Sequence, residues 1–180
     1  MALFAVCFNL GLVRGQNASI NADSVVEARI KQQTGNRHHV PIKRIDRNVI
    51  PWDSSSVDLF KVDTLTAWLM PEVKWLIDSV MTQEDLDTVR IQIQQYQVGT
   101  WAGSSLGDAR LVETKPMMKM KKNDDYWAFA EPLYFSAGRR CLLKEEYQCG
   151  FMCAQYEMAL YERGRDGQWR FVRTISALAE

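Results

Sequence analysis

A chain of 180 residues with 22 Lys plus Arg against 22 Asp plus Glu carries no net charge when its histidines are neutral, so no face has to be strongly basic and a nucleic-acid partner is disfavoured. Its hydrophobic share of 47% and charged share of 24% are those of a globular protein and exclude a disordered tail or a bundle of membrane spans. At this length a single domain buries roughly 70% of the surface its unfolded chain exposes, so no second domain is required.

The chain opens with an apolar run from Ala2 to Val13, too short for a membrane span, and turns polar at Gln16-Asn17-Ala18-Ser19-Ile20-Asn21. This pattern predicts a signal peptide over residues 1–15, cut after Gly15. The basic segment that should come first is missing, which implies a start codon placed too late. A buried first strand or helix is the competing reading. With the leader removed, residues 16–180 form one α+β domain in the periplasm or outside the cell, with no integral membrane span.

Asp23-Ser24 is placed to cap a short helix through Val25, Val26, Ala28 and Ile30 that stops at Gly35. Residues 40–62 give two short apolar segments around Pro51 and Ser54-Ser55-Ser56, which fit edge strands and loops. Leu65 to Met70 and Val73 to Val80 are apolar and interrupted by Pro71, which predicts a bent helical or extended passage. The clearest helix follows. Thr82 and Asp85 resemble a capping box, Glu84, Asp85 and Asp87 suit the positive helix end, and Leu86, Val89, Ile93 and Tyr96 recur at three- and four-residue steps. Gly99 and Gly103 are expected to end it.

Beyond the helix, Gly103-Ser104-Ser105-Leu106-Gly107 fits the G-x-S-x-G turn that exposes a serine nucleophile. That turn needs a strand before it and a helix after it, with an acid and then a histidine later in the chain. Here a helix precedes it and both histidines, His38 and His39, lie upstream. A loop is the better reading. Met117, Met118 and Met120 offer soft sulfur for copper(I), but among four lysines they read better as loop or strand edge.

Tyr126 to Phe129, Leu133 to Phe135, Arg140 to Tyr147, Ala154 to Glu162 and Gln168 to Ile175 then read as successive strands, the last two joined at Gly164-Arg165-Asp166-Gly167. The expected fold is therefore α+β: an antiparallel C-terminal meander packed by at least one amphipathic helix. Cys149 and Cys153 fall where one strand turns into the next, and their closure as a disulfide would add only about 2 kcal/mol because the ring is small. A redox centre needs Cys-x-x-Cys at a helix start, and a structural zinc site needs four clustered Cys or His ligands. Neither pattern is present, so no metal and no cofactor is expected. Cys141 is left as an odd thiol. Most of the six tryptophans are expected in core or hairpin packing.

Glu131-Pro132-Leu133-Tyr134-Phe135-Ser136, Cys149-Gly150-Phe151-Met152-Cys153 and Leu160-Tyr161-Glu162-Arg163 with Gly167-Gln168-Trp169 together resemble a pattern in uncharacterised exported bacterial proteins. Those combine a Pro-x-Phe-Ser-like strand start, a Cys-Gly hairpin tip and a Leu-Tyr-x-Lys-x-x-Gly-x-Trp ending. The likeness covers about the last 50 residues, with the Thr82 helix as a looser correspondence. Ala154 stands where a glycine often follows the second cysteine, and Arg163 stands near the usual lysine. The resemblance implies export and fold, and carries no activity or catalytic residue. With no complete catalytic constellation, the expected function is non-catalytic binding of an envelope protein or small ligand. The alternative is a hydrolase or thiol-redox protein using Ser105 or Cys149 with Cys153.

Overall fold

The computed structural model describes residues 15–35, 41–52, 60, 70–103, 105–114, 125–149 and 153–179. Among the described residues three helices, α1 (Gly15–Gly35), α2 (Pro71–Ser79) and α3 (Gln83–Gln94), pack on a sheet of eight strands. The strands are β1 (Arg44–Asp46), β2 (Ser105–Leu106), β3 (Ala109–Val112), β4 (Tyr126–Phe129), β5 (Leu133–Phe135), β6 (Arg140–Gln148), β7 (Ala154–Arg163) and β8 (Trp169–Ala179). Their order is β2-β3-β1-β4-β6-β7-β8, with β5 also paired to β6. The fold is α+β.

All five C-terminal strands lie where alternation and turn chemistry put them, and β6, β7 and β8 form the expected meander. The β7–β8 turn closes through Gly164 N–H to the Gln168 carbonyl at 2.8 Å, with Gly167 at φ +79. The sheet as a whole is mixed rather than purely antiparallel, because β1 runs parallel to both β3 and β4. Nor is β1 an edge strand as expected. It is inserted between β3 and β4, where Ile45 is fully buried. Three residues in parallel pairing carry no local signature, since both partners come from far along the chain.

Alternation sorts the central strands into two cores. Cys141, Leu143, Ala159 and Tyr161 pack with Val25, Val26 and Ile30 of α1, whereas Leu142, Met158 and Leu160 pack with Val73 and Leu76 of α2 and Leu86, Val89 and Ile93 of α3. The sheet is thus covered on both faces, and this explains why Cys141-Leu142-Leu143 and Met158 to Tyr161 are buried without interruption. β8 follows the curvature with two register shifts that skip Ile175 and Val172; the first leaves Ile175 buried in the α2 core.

The helices differ from expectation at their ends. Asp23-Ser24 does not cap α1, which already runs from Gly15. The buried stripe Ala22, Val25, Val26, Arg29, Ile30, Gln33 starts before Asp23 and draws the earlier turn onto the sheet. Pro71 opens α2 at its first turn, and Leu65 to Leu69 of the expected passage lie outside the described residues. Thr82 caps α3 with the reciprocal box: Asp85 N–H donates to Thr82 Oγ1 at 3.1 Å and Thr82 N–H to Asp85 Oδ2 at 3.0 Å. The helix stops at Gln94, short of Gly99. Asp85 also accepts from Ser136 N–H at 2.6 Å and Ser136 Oγ at 3.2 Å. It thereby holds the β5–β6 turn, in which Ser136 and Ala137 both take positive φ. Burial opposes the charge on Asp85, but these hydrogen bonds prevail and keep its carboxyl below the usual range.

Among the described residues no helix is long and apolar enough to cross a membrane. The leader lies outside the described residues except for Gly15, as do His38, His39, Trp68 and the methionines of residues 117–120.

Candidate functional site

β4 and β5 occupy one strand position beside β6, interrupted at Glu131-Pro132. Phe129 is in register with Glu145, Leu133 with Leu142, and Ala130 N–H still reaches the Lys144 carbonyl at 2.9 Å. Proline has no N–H to continue a ladder, so the chain steps out here. β1 covers the outer edge of β4, but among the described residues no strand covers that of β5. Gln92 of α3 takes its place, its Nε2 donating to the Tyr134 carbonyl at 2.6 Å and its Oε1 accepting from Tyr134 N–H at 2.9 Å. A side-chain amide thus does what a neighbouring strand would do.

Along this edge lies a groove of about 790 Å³, lined by Ala22 of α1, by Thr88, Ile91 and Gln92 of α3, by Gln95, Tyr96 and Gln97 beyond it, and by Glu131 to Tyr134. Ile91 is 48% exposed, an apolar side chain presented at the surface. Tyr96 donates its hydroxyl to the Ile50 carbonyl at 3.1 Å, and burial, then the Glu131 charge, push its ionisation up to about 12. The Tyr134 ring packs 5.9 Å from that of Trp169, and its buried hydroxyl has no hydrogen-bond partner among the described residues. Burial first, then nearby Cys141, Glu131 and Asp23, push Tyr134 ionisation well up, so both phenols stay neutral. Glu131 is an exposed residue by surface area, yet enough chain surrounds its carboxyl to raise it above the usual range. Asp23 is raised too, by burial and then by the Glu27 charge.

No protein-family model, curated protein or solved structure matches the chain. Chemistry is therefore read from the side chains themselves.

A second polar constellation sits under α1. Glu145 of β6 and Glu157 of β7 are directly opposite each other in the sheet, and Arg29 reaches down between them. Its Nε donates to Glu145 Oε2 at 2.7 Å, its Nη2 donates to Glu145 Oε1, and the same Nη2 lies 3.3 Å from Glu157 Oε2. Thr174 Oγ1 donates to Glu157 Oε1 at 2.7 Å, and the guanidinium lies 6.0 Å from the Trp127 ring centre. Glu145 is only 1% exposed. Burial pushes its carboxyl up to about 7 against the pull of Arg29. Burial alone would lower Arg29, but the hydrogen bond and charge of Glu145 outweigh it and raise it, so Arg29 stays charged. Arg29 and Glu145 are buried while Glu157 is partly exposed, and the cluster fastens α1 to the sheet.

The sequence-derived candidates do not meet. Ser105 is exposed in the two-residue strand β2, which turns through Gly107 into antiparallel β3. A strand follows it where a nucleophile elbow needs a helix. Cys149 and Cys153 stand at disulfide distance at the β6–β7 tip, Cα atoms 5.1 Å apart, with Cys149 N–H donating to the Cys153 carbonyl at 3.0 Å. Cys141 is buried on the α1 face, and burial raises its thiol well above the ordinary value. Trp52, Trp101, Trp127 and Trp169 are core residues. The groove was hidden from sequence reading because Gln92 lies off the apolar stripe of α3; Pro132 beside the strand material was the available sign of a broken edge.

Proposed function

We propose that the chain is an exported, non-catalytic binding domain of the cell envelope that holds a small ligand in the groove between α1, α3 and β5. The observation that carries this reading is the groove itself. Its volume of about 790 Å³ falls in the range of roughly 300–1,000 Å³ usual for small-molecule sites, and its lining mixes the apolar Ala22, Ile91, Pro132 and Leu133 with glutamines, tyrosines and Glu131. The apolar leader, the Cys149–Cys153 pair and the likeness of about the last 50 residues to exported proteins support export.

The test is intact-mass measurement on separated cell fractions, native and denatured, with thiol labelling before and after reduction. The expected result is a chain from the exported fraction shortened at its start. Its Cys149 and Cys153 should be labelled only after reduction, and a small native adduct should be released on denaturation and absent from the Ile91→Arg variant. A full-length cytoplasmic chain with both thiols free and no adduct overturns the proposal.

A further inference from the structure

We infer that the ligand of the groove is an amphiphilic amine, a protonated nitrogen on a small apolar body, with the nitrogen seated against Glu131. This rests on the reading of the groove as the binding site and adds the class of ligand. Among the described residues that line it, Glu131 has the one carboxyl, and there is no lysine, arginine or histidine. An anion would meet a like charge and no cationic donor. Asp23, next to Ala22 in sequence but not in the lining, adds its charge to that of Glu131 at the Tyr134 phenol.

Among the described residues neither Glu131 nor Asp23 has a cationic side chain paired to its carboxylate, whereas Glu145, Glu157, Glu162, Glu72 and Asp166 each have an arginine. A carboxylate in partly dehydrated surroundings with no cation gains most from a ligand that supplies one, through a charge-assisted hydrogen bond. The rest of the surface sets the body of that ligand. Ile91, Pro132, Leu133 and Ala22 offer apolar contact, and Gln92 is already committed to the Tyr134 backbone. Recognition therefore combines one charge with burial of a compact hydrocarbon.

Phenethylamine, phenethyl alcohol and phenylacetate share an aromatic body and differ in the charge of their polar end. Equilibrium binding of each to the full chain and to Glu131→Gln at neutral pH tests the inference. The amine is expected to bind the native chain about tenfold or more tightly than the alcohol, with phenylacetate weakest. Glu131→Gln should remove the preference and leave alcohol binding unchanged, which also reports that the groove is intact. An alcohol that binds as well as the amine, or a preference that survives Glu131→Gln, overturns the inference and leaves the groove reading standing. Failure of all three probes to bind the native chain overturns both.

Discussion

Replacing Arg29 with alanine is expected to destabilise the domain by about 3–5 kcal/mol, the usual cost of breaking a buried ion pair from one side. The reason is the register of the sheet. Glu145 and Glu157 are cross-strand neighbours, a placement that is unfavourable for like charges, and Arg29 supplies the hydrogen bonds between them. Without it the buried Glu145 carboxyl loses its cation and the hydrogen bonds from Arg29, and α1 loses its fastening to β6 and β7. Arg29→Lys keeps the charge but not the planar fork, so it should fall between alanine and the native chain. Urea unfolding of the three proteins measures this. A loss below about 1 kcal/mol for Arg29→Ala, the scale of an exposed pair, would show that the clamp does not hold the helix.

The second large effect is on pH. The Glu145 carboxyl titrates at about 7 in the folded chain against an ordinary value of 4.5, so between these values the folded state holds a proton that the unfolded state has released. Stability from this group is therefore greatest below the unfolded value and falls as pH rises toward and through 7. The groups facing Glu145 are Arg29 from α1 and Glu157 and Tyr161 from β7, and only Glu157 shares its sign. Unfolding free energy should drop by on the order of 2–3 kcal/mol between about pH 5 and pH 8. Glu145→Gln should flatten most of that fall. Glu131 and Asp23 are also raised and leave a smaller slope of the same direction. In Arg29→Ala the pull on Glu145 is gone, so the destabilisation should be larger at high pH than at low pH. A native profile that is flat or rises over this range contradicts the assignment.

These two effects show what the sequence could and could not convey. The strands from Tyr126 onward were legible because each carries its own alternation and ends in turn residues, and the α3 cap was legible because Thr82 and Asp85 are three residues apart. The opposed carboxylates were within reach as well: counting four residues outward from Cys149 and from Cys153 arrives at Glu145 and Glu157, which are in register. Arg29 was not, since it lies 116 residues before Glu145 and nothing local marks it as different from any other helix arginine. The same holds for β1, whose partners are β3 and β4, and for the β2–β3 hairpin, whose glycines and serines read as loop. The groove depends on a strand break and a glutamine side chain meeting across the fold. Such a site is a property of packing, which periodicity does not encode.

The central claim is that the groove along β5 is the binding site, and a backbone amide NMR map during titration with phenethylamine tests it most directly. The account predicts shifts concentrated at Thr88 to Gln97 and at Glu131, Leu133 and Tyr134, with Ser105 and the Cys149–Cys153 tip unmoved. Saturable shifts centred elsewhere, or none at any concentration, would contradict it.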